Sequence, residues 1–386
     1  MMARYLRTLL ALGLIPILLT GCWDIKDLQE VNYLTAIGYD LEEGEFVIYG
    51  QLLDFASVAK TEAGKAGLIP VWVGKGRGKT LIDAIDDLYR TAQLRIFYGH
   101  VNAVVIGEKV LKDKQAMNQV EQFHGRFHEL RFTPWIFGTS QPIGDILSVT
   151  SIFDLSPGVS ILHQPLETYR QRSAIHPISV RRFALETNEP SHTTLLPAIA
   201  LSDRNWNKGK KPQEMLAING AYAMREDKVL GRLVMKDLTG LTWVEPASNR
   251  GPLVLSAGEK IEATLSLEQP KVEIAPHVRD GKATYTLKVS LTGVITMLLA
   301  PLTEAELERQ ADKLVRLQIR ELYEEGLKHD ADLLNLETAL YREKNREWKT
   351  LRDSGGLGLT PESLTEIDVS VNIKRTGNMK KQTVFK

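Results

Sequence analysis

Hydrophobic and polar positions follow a period of two in some stretches and a helical period in others. Tyr33 to Tyr39 and Phe46 to Leu53 predict two strands joined by the acidic turn Glu42-Glu43-Gly44-Glu45. Ser57 to Gly67 is polar and glycine-containing, the pattern of a surface loop, and Pro70 to Val73 predicts a further strand. From Thr80 onward Leu81, Ile85, Leu88 and Ala92 share one helix face. Val101 to Ile106 has the continuous apolar character of a buried strand, followed by a helix from about Glu108 to Phe127 and a strand over Thr133 to Phe137. This alternation predicts a mixed α/β unit over about 25–150.

Pro157, Pro165, Pro177, Pro190, Pro197 and Pro212 interrupt the next stretch, leaving a short helix over Leu166 to Arg172 and a connecting region. Trp206 to Lys211 has the character of an exposed basic turn, and a boundary is expected near 203–214. Asn219 to Arg225 and Val229 to Met235 then predict a hairpin turning at Glu226-Asp227-Lys228, with a short helix near Lys236 to Trp243. Beyond Glu259 alternation dominates: Ile261, Ala263, Leu265 and Leu267 fall on one face, as do Val272 and Ile274, and Tyr285, Leu287, Val289, Leu291 and Ile295 mark a long strand. Thr303 with Glu306 forms a capping box opening a helix whose inner stripe is Leu307, Ala311, Leu314, Gln318 and Leu322, and which Gly326 is expected to end. A second helical stretch spans Ala331 to Arg346, and Ile367, Val369, Val371 and Ile373 define a last strand over Glu366 to Lys374. The C-terminal part is thus expected to be antiparallel strands packed on helices. The fold class is α+β, with mixed sheets and flanking helices. The expected units are 22–205 (with a sub-boundary near 150), a small hairpin-and-helix unit at 206–257, and 258–386.

The start of the chain obeys neither period. Arg4 and Arg7 precede an apolar core from Leu9 to Leu19, the layout of a secretory signal. That core is far shorter than the roughly 20 residues needed to cross hydrocarbon. It ends in Leu19-Thr20-Gly21-Cys22, which resembles the bacterial lipobox. The resemblance implies a signal peptide over 1–21, a diacylglyceryl group on the Cys22 thiol, and cleavage that leaves Cys22 first and open to N-acylation. One acyl chain holds a protein only marginally, whereas two or more anchor it stably. The alternative is a plain signal peptide with an incidental cysteine.

Hydrophobic content of 43% and charged content of 25% are ordinary for a folded globular chain. Lys plus Arg and Asp plus Glu both number 48, so nothing favours nucleic acid as a partner. With its single cysteine given to lipid, the chain has no disulfide and must hold through its core. Val294 to Leu302 is the longest later apolar stretch, and Pro301 breaks it.

Candidate chemistry is sparse. Gly74-Lys75-Gly76-Arg77-Gly78-Lys79-Thr80 invites comparison with a phosphate-binding loop, but that loop requires a glycine where Val73 stands, so a flexible basic turn entering a helix is expected. Glu121, His124 and His128 could share a helix face, yet His124-Gly125-Arg126-Phe127-His128 lacks the glutamate that follows the first histidine of a zincin, which favours surface or half-buried histidines. The remaining histidines are scattered. No Gly-x-Ser-x-Gly elbow occurs, and Asp86-Asp87 and Glu324-Glu325 fit solvated helix faces better than catalytic pairs. Trp23, Trp72, Trp135, Trp206, Trp243 and Trp348 are too dispersed for a sugar platform, so core packing is expected for most of them. No catalytic residue, cofactor site or metal site is assigned.

A series of short stretches resembles the C-subunit lipoproteins of spore germinant receptors, the Ger(x)C family. They are Cys22-Trp23-Asp24 with Glu30 and Asn32, Arg95-Ile96-Phe97-Tyr98-Gly99-His100, and Val104-Val105-Ile106-Gly107-Glu108. Glu129-Leu130-Arg131, Ala221-Tyr222-Ala223 with Asp227 to Gly231, Asp332, Trp348 and Arg375-Thr376-Gly377 continue the series in order. Two departures stand out: Leu333-Leu334-Asn335-Leu336 lacks an expected glycine, and Ala223-Met224 replaces Val-Phe. The resemblance implies a three-domain mixed α/β protein of unusual topology, anchored through Cys22 on the outer face of the spore inner membrane. It would work there beside two integral-membrane subunits of a receptor that responds to nutrients, without catalysis of its own. A solute-binding lipoprotein serving a transporter and an exported hydrolase are the alternatives; the first predicts two similar lobes, which the unlike halves do not offer.

Overall fold

The computed structural model describes residues 31–52 and 71–375; Cys22, the rest of the lipobox and the loop expected over Ser57 to Gly67 lie outside the described residues. Two sheets dominate. The first is nine-stranded and begins with β1 (Val31–Glu42), β2 (Glu45–Leu52) and β3 (Trp72–Gly78), antiparallel neighbours. The turn at Glu43-Gly44 takes two positive φ angles, as the acidic turn requires. On the other side of β1 lie β4 (Arg95–Phe97) and β5 (Ala103–Gly107), both parallel to it, then β6 (Trp135–Thr139) and β7 (Thr194–Ser202). A small ribbon, β8 (Asn207–Lys208) with β9 (Lys211–Pro212), leads into β10 (Met215–Arg225), antiparallel to β7, and β11 (Lys228–Val234), antiparallel to β10, which complete the sheet.

Helices cover both faces of this sheet. On one side lie α1 (Leu81–Tyr89), α2 (Glu108–Lys112), α3 (Lys114–Arg126) and, later in the chain, α6 (Val180–Thr187); on the other lie α4 (Ile143–Ser148) and the segment leading to α5 (Pro165–Gln171). Parallel strands buried on both faces need continuous apolar runs, and Ala103 to Gly107 is buried throughout. Thr80 caps α1 through a full capping box with Asp83. The single helix expected from Glu108 to Phe127 is divided: Asp113 leaves helical geometry and accepts bonds from the Gln115 and Ala116 amides, so it caps α3. The interval expected to be a connector contains α6 and β7; Pro190 precedes β7, and Pro197 lies within it opposite Ala221, beside the single bridge that joins β7 to β6.

The second sheet is four-stranded: β12 (Arg250–Ala257), β13 (Lys260–Arg279), β14 (Lys282–Leu298) and β15 (Leu364–Arg375). Between β14 and β15 run α8 (Glu304–Lys328), α9 (Leu336–Glu343) and α10 (Asn345–Asp353); α7 (Leu241–Val244) precedes β12. That helical crossover returns β15 parallel to β14, correcting the wholly antiparallel expectation. Thr303 and Glu306 form the expected capping box. The buried stripe of α8 is Leu307, Ala311, Val315, Ile319 and Leu322, rotated slightly from the expected one, and Gln318 receives the Trp243 indole N–H at 2.6 Å. Gly326 does not end α8, which runs on to Lys328; a side chain there would collide with the Ala331 carbonyl. A bulge between Leu255 and Ser256 leaves Ile261 exposed, off the buried face of Ala263, Leu265 and Leu267.

The chain is therefore α+β, and β10 ties its parts together. Tyr222 and Met224 belong to the core beneath α1, α3 and α6 of the first sheet, while Ala221 and Ala223 belong to the core of the second. Alternation along one strand feeds two cores, and the first sheet runs continuously across the boundary expected near 205/206.

Candidate functional site

Where the two sheets meet, the turn before β7 faces the turn that enters α9. Thr193 N donates to Asn335 Oδ1 at 2.8 Å, and Asp332 N donates to Thr193 Oγ1 at 3.2 Å. Asn335 holds φ at 54°, a left-handed conformation that asparagine tolerates, so it serves where a glycine was expected. Asp332 is fully buried; its Oδ2 accepts the Glu337 amide at 2.8 Å, while Oδ1 has no partner. Burial pushes the carboxyls of Asp332 and Glu337 up from the ordinary range, and in Glu337 the nearby Asp332 adds to the effect. Arg225, from the end of β10, lies 3.8 Å from Glu337 Oε2 and donates to Thr193 Oγ1 at 3.3 Å, opposing both shifts.

Above this buried set Trp348 donates to Ser191 Oγ at 3.0 Å, packs edge-on against Tyr341, and carries Arg352 over its face at 4.8 Å. Arg342 grips Glu189 with two bonds of 2.7 Å. Together they border a cleft of 620 Å³ whose walls include Glu189, Arg225, Asp227, Glu337, Trp348 and Arg352. Asp332, Trp348 and the Ala221 to Gly231 hairpin, separate in sequence, are thus neighbours in space. Arg225 and Glu337 were not singled out by sequence; only burial of an Arg–Glu pair across the seam distinguishes them from solvated charges.

A second convergence joins other stretches of the series. Arg95 Nη2 bonds Glu129 Oε1 at 2.7 Å, Glu108 accepts from the Tyr222 hydroxyl at 3.3 Å, and Lys114 pairs with Asp227 at 3.0 Å. These contacts lock the hairpin and the crossover helices to the sheet.

The remaining candidates resolve differently. Gly74 to Gly78 is not a flexible turn but the edge strand β3, whose glycines face α1: a Cβ on Gly74 would lie 2.7 Å from Leu88 Cδ1, and one on Gly76 2.7 Å from the Leu88 amide. Lys75 and Arg77 point the other way and both pair with Glu42. His124 is buried beside Tyr39, ring nitrogen to hydroxyl 2.9 Å, and burial lowers its pKa to about 4, while His128 is exposed. No three His, Cys, Asp or Glu side chains among the described residues gather as metal ligands. Asp87 holds the Arg77 amide and Arg90, and Glu325 holds Lys328 and His329. Trp243 and Trp348 are core residues, but Trp72 and Trp206 are exposed. His163, which sequence did not distinguish, is buried between Asn102 and Gln51, its Nε2 2.9 Å from Gln51 Oε1, and burial brings its pKa to about 4.

Both halves of the chain match known protein families. Residues 24–201 match the family described as "Spore germination protein N-terminal domain", and residues 219–377 match "Spore germination B3/ GerAC like, C-terminal". The chain belongs to the Ger(x)C family. Spore germination protein KC of Bacillus subtilis (strain 168) is 22% identical over 94% of this chain and 93% of its own length. Spore germination protein B3 of the same organism is 21% identical over 72% of this chain and 71% of its own length. The crystal structure of the GerBC protein superposes with a TM-score of 0.53 at 16% identity, covering 92% of this chain and 99% of that one, so the fold is shared. In this Ger(x)C chain the first matched segment ends in β7, and the second begins in its neighbour β10, the strand that serves both cores. Among the described residues no helix is long and apolar enough to cross a membrane.

Proposed function

We propose that this Ger(x)C chain is a non-catalytic lipoprotein subunit of a nutrient germinant receptor, held by acylated Cys22 on the outer face of the spore inner membrane. It works there beside two integral-membrane subunits and is required to trigger germination. The observation that carries the reading is the match of consecutive spore germination segments over 24–201 and 219–377, directly behind a lipobox in register with a signal peptide. The names of the relatives point the same way. The charged side chains at the seam bind one another across two sheets, which suits a rigid coupling subunit better than a reaction centre.

A mild-detergent pull-down of the tagged chain from spore membranes tests the assignment. Two polytopic partners are the expected result; an ABC-type permease in their place would install a transporter's solute-binding protein instead. Cys22→Ala is expected to leave the fold intact and release the chain from membranes on flotation. A variant that still floats with the lipid fraction would remove the lipid anchor from the reading.

A further inference from the structure

The ends of the first sheet are unlike. At the end where β1 starts, Val31 pairs with Arg95, Leu34 with Leu52, and Leu52 with Trp72; Asn102 N donates to Thr35 O. Helix α4 returns to this same end, since Leu147 O accepts from Gln51, and His163 closes the following segment onto Gln51 and Asn102. Between them the chain makes a tight loop, with Ser151 Oγ donating to Ser156 O at 3.0 Å. That loop turns its apolar residues outward: Phe153 is 85% exposed, and Ile152, Leu155 and Val159 are exposed beside it. Phe153 also has φ at 59°, costly for a bulky residue and without any packing in return. Trp72, Leu94 and Phe132 add exposed apolar surface at this end.

Arginines gather at the same end. Arg90 ends α1, Arg126 ends α3, and Arg131 and Arg181 flank the Phe132 carbonyl that accepts the Arg181 amide; all four guanidiniums are exposed. Two acids at this end are paired, Asp87 with Arg90 and Glu129 with Arg95, and the loop itself carries Asp154. Exposed apolar side chains and arginines at one end of the sheet suit the interface of an anionic bilayer.

The tether decides the occupant. Nine residue steps separate Cys22 from Val31, and nine steps span at most about 30 Å. An acylated Cys22 therefore keeps the Val31 end of the sheet near the bilayer, whereas the Glu42 end lies a further eleven steps along β1. We infer that the Phe153 loop, with Trp72, Leu94 and Phe132, docks into the lipid headgroup region, and that Arg90, Arg126, Arg131 and Arg181 bind anionic headgroups. The lipid anchor then sets not only location but orientation, with the turn at Gly44 and the start of α1 held away from the membrane. This rests on the Cys22 anchor proposed above.

The test uses the full lipidated chain in vesicles of phosphatidylglycerol and phosphatidylethanolamine. Because Cys22 is the sole native cysteine, an introduced one is the unique free thiol. An environment-sensitive fluorophore on Val159→Cys should shift to the blue and be quenched several-fold by lipid-borne nitroxide, while the same probe on Lys79→Cys, at the opposite end of β3, should remain aqueous. Phe153→Ser with Leu155→Ser should still float with the vesicles yet lose most of the quenching at position 159. Arg126→Glu with Arg131→Glu should weaken it in low salt. Equal quenching at 159 and 79, or none at either, on a chain that floats would overturn the orientation. A chain that does not float would instead overturn the anchor. Protection of 159 only when the integral-membrane subunits are co-reconstituted would replace lipid by a protein partner.

Discussion

Gly74, Gly76 and Gly78 let α1 lie directly on the edge strand, with the Ala84 carbonyl and the Leu88 amide where side chains would otherwise stand. Gly76→Ala is expected to cost about 1–3 kcal/mol through overpacking, read as a lower denaturation midpoint with an unchanged slope. Pairing of Lys75 and Arg77 with Glu42 should be retained, since they face away from α1. Two buried histidines give acid sensitivity. His124 and His163 titrate near 6.5 when unfolded but at about 4 in the fold, because burial disfavours the charged ring. A depressed histidine pKa stabilises the neutral native state above the unfolded value and withdraws that stability as pH falls from 6.5 towards 4. Each contributes up to about 3 kcal/mol over that window. His163→Gln should flatten this limb of the stability–pH curve; an unchanged slope would count against the assignment.

At the scale of elements, the seam is held by the turn entering α9 and by α10. Asn335→Ala loses the bond to the Thr193 amide and places alanine in a left-handed conformation, an expected loss of about 2–3 kcal/mol. Asn335→Gly should lose less, because glycine relieves the strain while still forfeiting the bond; equal losses would show that the backbone angle is not the issue. Asp332 and Glu337 carry the opposite pH sign to the histidines. Their carboxyls are raised by burial, so the stability they confer is present at low pH and is lost as pH rises through the folded values. Asp332→Asn keeps an acceptor for the Glu337 amide and should remove much of that loss of stability with rising pH in equilibrium unfolding.

Across the whole molecule, the two sheets are not free to act separately, since β10 contributes Tyr222 and Met224 to one core and Ala221 and Ala223 to another. Chemical or thermal unfolding is therefore expected to give one cooperative transition, coincident by circular dichroism and by fluorescence of the buried Trp243 and Trp348. Two resolved transitions would mean that the hairpin couples the cores only weakly.

Local signals in the chain were sufficient for several features. Period-two and helical spacing located most strands and helices, Thr303 with Glu306 located the start of α8, and the acidic turns located two hairpins, because each depends on neighbours a few residues away. The ordered stretches that resemble Ger(x)C chains were likewise legible without a fold. Tertiary structure alone decided the rest. The glycine-rich run became a strand because α1 needed bare backbone to rest on, and the 173–205 interval gained α6 and β7 because partner strands supplied ladder bonds that its prolines obscured. The parallel direction of β15 followed from the helical crossover before it. Asp332, Glu337 and Arg225 became a buried set only when two distant turns met, since burial is a property of packing that no single stretch of sequence contains.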